Sequence, residues 1–301
     1  MDFAATEAYL RRIDAARPAS RDANALRSLH LSHLRSVPFE NLSIHLGEEI
    51  VLAEQPLLDK LVGARRGGFC YELNGAFAAL LRALGYEVEL LSARVFGPDG
   101  PGIPYDHMAL RVHTPAGPWL ADVGFGRHSH YPLRLGERGD QPDPGGVFRI
   151  EETSEGDLDV LRDGDRQYRL EQRPRALADF EVGCWWNRTS PTSHFTQSLV
   201  CSRLTETGRV TLSGRTLVIT EPEAEAEAEA EAEAEAGAVA EAGAAAGAGV
   251  GGEGGSGGAR YERELEAAEV LPAYATHFGI TLDREPIVRP VQRRVGPPAG
   301  S

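Results

Sequence analysis

The sequence predicts an α+β fold with a helical part, a strand-rich part and a mixed part at the end. Up to about residue 85, apolar residues recur at the three- and four-residue spacing of amphipathic helices. From Tyr86 onward the period changes to two, and Gly, Pro and Asp turns separate the segments. At 301 residues the chain is longer than one average domain, so a division into two or three parts is expected.

Four helices are predicted in the first part. Residues 2–16 and 22–36 have amphipathic spacing, with Asp22 as the N-cap of the second, and a third short helix is predicted to begin at Pro56. The fourth helix has the clearest pattern, because an apolar stripe at helical spacing is followed by Gly85, which favours a left-handed stop. The stripe consists of Leu73, Phe77, Leu80, Leu81 and Leu84.

Seven later segments predict strands, because they alternate in polarity or are rich in β-branched and aromatic residues. Their sequences are YEVELLSARVF, HMALRVHT, PWLADVGF, VFRIEE, QYRLEQ, HFTQSLVCSRL and RVTLSGRTLVIT. Farther on, YERELEAAEVLPAYATHFGI predicts one more helix that ends near Gly279. The tail after Glu285 is rich in Pro, Gly and Arg and is predicted to be unstructured.

A low-complexity segment, residues 221–259, interrupts the last part. It carries ten of the 45 acidic residues and no Lys or Arg. A helix with its Glu/Ala alternation would have like charges at i,i+4 and no apolar face, so a solvated, partly helical or disordered insertion is predicted, with an acidic docking element as the alternative. The rest of the chain has 35 acidic against 31 basic residues, so the net charge of −14 does not indicate a nucleic-acid-binding surface.

The composition predicts a cytoplasmic protein. No apolar run approaches the roughly 20 residues of a membrane span, and the N-terminus lacks the basic-then-apolar order of a secretion signal. Cys70, Cys184 and Cys201 are irregularly spaced and give neither a disulfide framework nor a zinc pattern. The nine histidines show no metal-ligand clustering, so no metal is expected. No glycine motif of a nucleotide phosphate loop occurs.

The stretch RRGGFCYELN, residues 65–74, raises the question of whether Cys70 is a reactive thiol or a small apolar side chain. The Leu73 stripe places a helix start near Cys70, where free N–H groups and the helix dipole would stabilise a thiolate and lower the pKa of the thiol. Gly67 and Gly68 leave room for a substrate or for another backbone segment. On this pattern alone, a buried structural thiol is the alternative.

A nucleophilic cysteine also needs a base and a group that orients the base. His107 opens the strand HMALRVHT, and Asp122 lies beyond the TPAGP turn in the next strand. If these strands pair, the two side chains come close together, whereas a slip of one residue would put them on opposite faces. An Asp within an apolar strand requires a charged or hydrogen-bonding partner, so Asp122 is expected to have one.

The remaining histidines and cysteines are expected to have other roles. Cys184 and Cys201 are expected to be structural or inert. His30 and His33 are expected to pack or to lie on the surface of a helix, and His194 to lie nearer the candidate site. His128 and His130, which follow a turn, are expected to be solvated.

Five segments resemble the arylamine N-acetyltransferase family in order and spacing: VPFENLSIH, RRGGFCYELN, DHMALRV, LADVGFG and TSPTSHF. The resemblance covers most of residues 1–220 and resumes faintly at 261–284. It implies a helical bundle that carries the nucleophile, a β-barrel that carries the His and the Asp, and an α/β lid. The bundle spans 1–86, the barrel 87–195 and the lid 196–285, interrupted at 221–259, and 286–301 form a disordered tail.

The resemblance also implies a chemistry. Cys70 would be the acylated nucleophile, His107 its general base and Asp122 the orienting group. An acetyl group would pass from acetyl-CoA, a substrate and not a permanently bound cofactor, to the Cys70 sulfur. From there it would pass to an arylamine, arylhydrazine or arylhydroxylamine. The Cys70 backbone N–H is expected to stabilise the developing oxyanion.

Further residues match the family in binding and architectural positions. Phe39, Val95, Phe125 and Phe195 match positions that line the acceptor pocket, although each also fits a core position. Gly124 and Gly126, with Arg127 nearby, are expected beside the CoA phosphates. Arg66 is expected to pair with Glu40 in an architectural role, with Asn41 nearby.

Other functions remain open on the sequence. An amide synthase of the same fold, which closes a macrolactam from a carrier-bound polyketide, would use the same three residues. A thiol hydrolase or transglutaminase-like enzyme would use water or lysine as the acceptor. A non-catalytic interaction protein would use the acidic insertion. The insertion also falls where the lid would complete its sheet.

Overall fold

The computed structural model describes residues 1–221 and 260–288. The first part is helical, as predicted, and the side chains of Asp2 and Asp22 cap its first two helices. Helix α3 was not predicted. The helices are α1 (Phe3–Arg12), α2 (Ala23–Ser36), α3 (Leu42–Leu46), α4 (Glu54–Leu58), which a π-helical turn over Asp59–Gly63 continues, and α5 (Cys70–Ala83).

Helix α5 is the centre of the largest hydrophobic core. Its apolar stripe, except for the half-buried Leu84, is fully buried against α1, α2 and the neighbouring sheet. Gly85, at φ 90°, ends the helix region as predicted, because a left-handed conformation suits glycine.

A nine-stranded sheet follows and nearly closes into a barrel. Strand β4 lies between β2 and β5, and its register with β5 places Leu110 opposite Ala121. The order is β6-β5-β4-β2-β10-β9-β8-β7, with β3 paired to β2. The strands are β2 (Glu87–Gly97), β3 (Gly100–Pro101), β4 (His107–Thr114), β5 (Gly117–Ala121), β6 (Leu133–Arg134), β7 (Gln141–Asp143), β8 (Gly146–Glu152), β9 (Leu158–Arg162) and β10 (Asp165–Arg175).

A second sheet has the order β1-β11-β12-β13-β14. Its edge strand β1 (Phe39–Glu40) comes from the helical part of the chain, so this sheet joins the first and last parts. The other strands are β11 (Val200–Thr205), β12 (Gly208–Ser213), β13 (Thr216–Thr220) and β14 (Arg260–Glu264). The remaining helices are a 3₁₀ turn (Leu177–Phe180), α6 (Glu181–Thr189), α7 (His194–Gln197), α8 (Ala267–Ala273) and a π-helical turn (Tyr274–Phe278).

Two predicted elements are corrected. The segment that begins at His194 starts as helix α7, because the Ser193 hydroxyl accepts a hydrogen bond from Phe195 N–H and caps a helical turn. The predicted helix that begins at Tyr261 starts instead within strand β14, because β13 offers this segment a free edge to pair with. Its helical part ends at Gly279, as predicted.

The predicted insertion lies, except for Glu221, outside the described residues, as do the last 13 residues of the predicted tail. The strands on either side of the insertion pair with each other, since Thr220 lies opposite Arg260. The sheet is therefore complete across the insertion. Within residues 1–221 and 260–288, no helix is long and apolar enough to cross a membrane.

Candidate active site

Cys70 is the first residue of α5, as the apolar stripe predicted, and it is 3% exposed. The glycines before it are required by close packing and do not form an open channel. A Cβ at Gly67 would lie 1.9 Å from the Pro38 carbonyl oxygen, and a Cβ at Gly68 would lie 2.6 Å from the Glu72 carboxylate. The backbone that approaches these glycines belongs to the segment that leads into β1.

Glu72 stabilises the first turn of α5 through two hydrogen bonds. Its Oε2 accepts a hydrogen bond from Phe69 N–H at 3.3 Å, and its Oε1 accepts one from Lys60 Nζ at 2.6 Å. Burial raises the pKa of Glu72, and the Lys60 ammonium opposes that rise. The turn that carries Cys70 is thus fixed by a buried ion pair.

His107 and Asp122 meet as the strand pairing predicted. Nε2 of His107 lies 2.7 Å from Oδ2 of Asp122, and both side chains are buried. The β4–β5 register explains the contact, because Asp122 directly follows the residue opposite Leu110 and so shares a face with His107. Burial raises the pKa of Asp122, but His107, His128 and Asn74 outweigh it and bring the pKa to about 2. Asp122 is therefore ionised at neutral pH.

Asn74 links the Cys70 helix to Asp122. It lies one turn after Cys70, and its Nδ2 donates to Oδ1 of Asp122 at 2.8 Å and to the Met108 carbonyl at 2.6 Å. Its Oδ1 accepts from Val123 N–H at 3.0 Å. Asn74 is thus a buried amide that joins the helix beginning at Cys70 to β4 and to Asp122 at the end of β5.

Gly124 allows this close approach. A Cβ there would lie 2.7 Å from Cys70 Cα and 2.7 Å from Asn74 Nδ2. Its N–H donates to Oδ1 of Asp122 at 3.0 Å. Gly124 therefore has a packing role in the site, and its expected position beside a CoA phosphate stays a prediction.

The pKa of the Cys70 thiol shifts in the direction opposite to the prediction. Burial raises it, Asp122 and Asp106 add to the rise, and a backbone hydrogen bond with Met108 opposes it. The expectation from the helix start was wrong because removing a thiolate from water costs more free energy than the helix N-terminus returns. The resting thiol is neutral, so it needs a base at the moment of reaction.

Aromatic rings surround His107. The Phe125 and Tyr168 rings lie 5.1 and 5.2 Å from its ring. His128, which was expected to be solvated, is 4% exposed and stacks edge-on against Phe148 at 4.8 Å, so that prediction was wrong. The turn after Phe125 folds back into the barrel, and burial lowers the pKa of His128 to about 4.

The predicted acceptor-pocket residues fall on two sides of the site. Val95 lies opposite Tyr168 across the β2–β10 pair, and it shares a face with His107, because Ala93 pairs with His107. Phe195 lies 6.1 Å from Phe39 and 5.5 Å from Phe69, the residue before Cys70. Val95 also lines a cavity of about 370 Å³ together with Asp106 and the 96–102 loop.

The predicted pair of Arg66 and Glu40 is confirmed. Nε of Arg66 donates to Oε1 of Glu40 at 3.0 Å, and Glu40 is 0% exposed. Arg66 also bridges to Glu48 at 3.0 Å. Asn41, as expected nearby, donates to the Phe195 carbonyl at 3.0 Å and so links this ion pair to the aromatic residues beside the site.

Cys184, Cys201 and His194 take no part in the hydrogen bonds that join Asn74, His107 and Asp122. Cys184 and Cys201 are buried and unpaired, and burial raises the pKa of both. His194 is exposed and bonds to Ser198. Among the described residues, no group of three or more His, Cys, Asp or Glu side chains is placed to hold a metal ion.

Sequence reasoning missed Asn74 and Tyr168 and placed His30 only as a packing or surface residue. The sequence contains a pattern that could have identified Asn74, since an amide on the apolar side of a helix needs buried hydrogen-bond partners. It contains no such pattern for Tyr168, because only the pairing of β10 with β2 brings this residue to the face of the sheet that carries His107. His30 is 0% exposed, and its Nε2 accepts a hydrogen bond from Asp122 N–H.

Known proteins resemble this chain in sequence and in fold. A family model described as N-acetyltransferase matches residues 22–242. The arylamine N-acetyltransferase of Escherichia coli K12 is 38% identical over 213 residues, which is 68% of this chain and 75% of that protein.

Solved structures extend the likeness. The M. smegmatis arylamine N-acetyltransferase superimposes with a TM-score of 0.74 at 32% identity and covers 93% of this chain and 92% of its own. The Mycobacterium marinum arylamine N-acetyltransferase in complex with CoA superimposes with a TM-score of 0.73 at 29% identity and covers 91% and 92%. The likeness in fold therefore extends over 93% and 91% of this chain in the two cases.

Proposed function

Because the chain belongs to the arylamine N-acetyltransferase family, we propose that it acetylates arylamines, arylhydrazines or arylhydroxylamines by a ping-pong mechanism through a thioester on Cys70. Acetyl-CoA is the donor substrate. The observation that carries the proposal is the buried 2.7 Å contact of His107 with Asp122, joined through Asn74 to the helix that begins with Cys70.

The tautomer of His107 follows from its partner. An ionised carboxylate can only accept hydrogen bonds, so the Nε2 that faces Asp122 carries a proton. In the neutral imidazole, Nδ1 is then the unprotonated nitrogen, and it is available as a base. This arrangement suits a thiol that is neutral at rest, because the base removes the proton as the sulfur attacks.

In the first half-reaction, the Cys70 sulfur attacks the acetyl carbonyl and its proton passes to His107. The bond between the carbonyl carbon and the CoA sulfur breaks, and CoA leaves as a thiol with the proton from His107. In the second half-reaction, the acceptor nitrogen attacks the Cys70 thioester and loses a proton to His107. The Cys70 sulfur leaves and takes that proton back.

The backbone N–H of Cys70 stabilises the oxyanion that develops in both halves. As the first residue of α5, Cys70 has an N–H that the helix leaves without an internal partner. The helix dipole adds a partial positive charge at the same point. A donor of this kind typically contributes about 3 kcal/mol of transition-state stabilisation.

The acceptor ring lies among Val95, Phe125, Phe39 and Phe195. Val95 and Phe125 lie on the His107 side, and the other two contact the segment before Cys70. Gly126 connects the two sides, since its Cβ position is 3.8 Å from the Phe39 ring. An aromatic amine placed here would have its nitrogen near the thioester and its ring against apolar surface.

CoA phosphates bind near Gly126 and Arg127, where positive charge accumulates. Burial, together with the charges of nearby Arg127 and Arg162, lowers the pKa of Arg209 to about 10. Mutual repulsion of this kind between guanidinium groups would be relieved by a polyanion. This electropositive region supports a site for CoA phosphates beside the turn.

Mass spectrometry tests the proposal. Incubation with acetyl-CoA alone should add one acetyl group to the Cys70 peptide, and later addition of an arylhydrazine should remove it. Cys70→Ser should fold and remain unmodified. Acetylation of Cys184 or Cys201 would contradict the assignment, and turnover of a carrier-bound thioester without acetylation by acetyl-CoA would favour the amide synthase.

A further inference from the structure

We infer that His30 is a positioning residue for the triad: from helix α2 it holds the backbone of Asp122 in place. This inference deepens the proposed function and rests on it. The backbone N–H of Asp122 donates to Nε2 of His30 at 3.2 Å. Nδ1 of His30 lies 2.9 Å from the carbonyl oxygen of His130. One imidazole therefore bridges two backbone points of the segment that carries Asp122 and Phe125.

Asp122 needs such a partner because it lies just beyond its strand. Strand β5 ends at Ala121, the last residue with a register partner on β4. A buried backbone N–H without a partner costs about 1–3 kcal/mol. His30 accepts the hydrogen bond from this N–H and thereby fixes the position of the Asp122 backbone, from which the side chain extends.

The hydrogen bonds to His30 determine its protonation state. A backbone N–H can only donate, so Nε2 must be the unprotonated nitrogen. A carbonyl oxygen can only accept, so Nδ1 must carry the proton. His30 acts as a neutral imidazole that accepts at one nitrogen and donates at the other, and burial, which lowers its pKa to about 4, keeps it neutral.

The carboxylate of Asp122 is held by different groups. Asn74 and Gly124 N–H bond to Oδ1, and His107 bonds to Oδ2. These contacts set the rotation of the carboxylate. The position of the Asp122 backbone depends instead on its hydrogen bond to His30. A backbone shift would lengthen the contact with His107, and small misplacements of catalytic groups reduce rates strongly.

His33 is a matched control on the same helix. It lies one turn from His30, it is also 0% exposed, and both rings contact Phe77, at 6.1 Å for His30 and 5.1 Å for His33. Its Nε2 bonds to the Tyr9 hydroxyl at 3.0 Å, on the side of α1. Replacing either histidine disturbs the same core, but only His30 reaches Asp122.

The experiment compares His30→Leu with His33→Leu in the full-length protein. Both should lower the melting temperature by similar amounts. In single-turnover acetylation with acetyl-CoA, followed by intact mass, His30→Leu should be at least about tenfold slower than wild type, and His33→Leu should stay within about twofold. Equal rates for the two variants, or a wild-type rate for His30→Leu, would overturn the inference.

Two conservative variants keep the test decisive if His30→Leu does not fold. In His30→Gln the amide oxygen can occupy the position of Nε2 and accept from Asp122 N–H. In His30→Asn the shorter amide can keep the donation to the His130 carbonyl but does not reach Asp122. The Gln variant should therefore acetylate faster than the Asn variant, and equal rates would contradict the inference.

A second readout separates this inference from the proposed function. If wild-type protein were not acetylated by acetyl-CoA, the proposed function would fail. The rate of iodoacetamide labelling at Cys70, compared across the same variants, would still decide the role of His30. The expected order is wild type, then Gln, then Asn and Leu, with His33→Leu close to wild type. Labelling that is the same in all variants would refute it.

Discussion

Nε2 of His107 and Oδ2 of Asp122 lie 2.7 Å apart in a pocket where both side chains are only 2% exposed. His107, with His128 and Asn74, outweighs burial and keeps the carboxylate ionised there, and four groups besides His107 interact with Asp122. Asn74 and Gly124 N–H bond to its second oxygen, His128 lowers its pKa electrostatically, and His30 accepts from its backbone. The orientation of the imidazole is therefore set by the surroundings of Asp122 as much as by Asp122 itself.

The first prediction concerns Asp122→Asn. The amide NH₂ would donate to Nε2 of His107 and would force the proton onto Nδ1, the nitrogen needed as the base. Acetylation of Cys70 should fall by about 10³- to 10⁴-fold, as in triads with this change, and iodoacetamide labelling at pH 7 should slow. Asp159→Asn is the control, because Asp159 is equally buried in the same sheet but pairs with Arg169. Unchanged labelling in Asp122→Asn would remove Asp122 from the triad.

The second prediction concerns pH and stability. The pKa of Asp122 is lowered in the folded protein, from 3.8 to about 2. Its stabilising contribution is therefore fully present above the unfolded value and is lost as the pH falls through the folded value. A shift of this size corresponds to about 2 kcal/mol. Urea unfolding should show wild type more stable than Asp122→Asn by about this amount at pH 6, and the difference should shrink steadily below pH 4. A difference that stays constant down to pH 3 would contradict the prediction.

The parts of the fold that depend on local patterns could be predicted from the sequence. The Leu73 stripe placed the start of α5 at Cys70, and the alternation in HMALRVHT and PWLADVGF gave the strand pair that joins His107 to Asp122. These predictions succeeded because the spacing of apolar residues is itself the cause of the element. The resemblance to a family then supplied the order of the three parts.

Long-range contacts could not be predicted in this way. Strand β1 pairs with β11 across about 160 residues, and a two-residue strand has no periodicity to detect. His128 was expected in solvent because the turn that carries it gives no sign that it packs on Phe148. The direction of the Cys70 pKa shift depends on burial by the whole core, while the sequence shows only the helix start. In each case the missing information is which distant surface covers the residue.

The third prediction concerns Gly124→Ala. The new Cβ would lie 2.7 Å from Cys70 Cα, which is closer than real Cβ contacts allow, so α5 or the 122–126 turn must move. Acetylation of Cys70 should fall by at least about tenfold, and the melting temperature should drop. Gly136→Ala is the control, because a Cβ there would meet nothing within 4 Å. If both variants kept the wild-type rate, the close contact of the turn with Cys70 would have no role in the site.

The fourth prediction concerns Arg66→Met. Removing the guanidinium leaves Glu40, which is 0% exposed, as a buried carboxylate without its partner. Breaking a buried ion pair from one side typically costs about 3–5 kcal/mol, so urea unfolding should show a loss of that order. Arg17→Met, which breaks the exposed pair with Glu7, should cost about 1 kcal/mol or less.

The same Arg66 variant separates stability from chemistry. Arg66 bonds to Glu40, Glu48 and Ser43, none of which contacts His107 or Asp122 in the hydrogen bonds described above. The fraction of Arg66→Met that remains folded should therefore acetylate Cys70 within about threefold of the wild-type rate. The double variant Arg66→Met/Glu40→Gln should recover part of the lost stability, because no buried charge is then left unpaired. A large loss of acetylation in protein that is fully folded at low temperature would show that Arg66 acts on the triad and would contradict the architectural role.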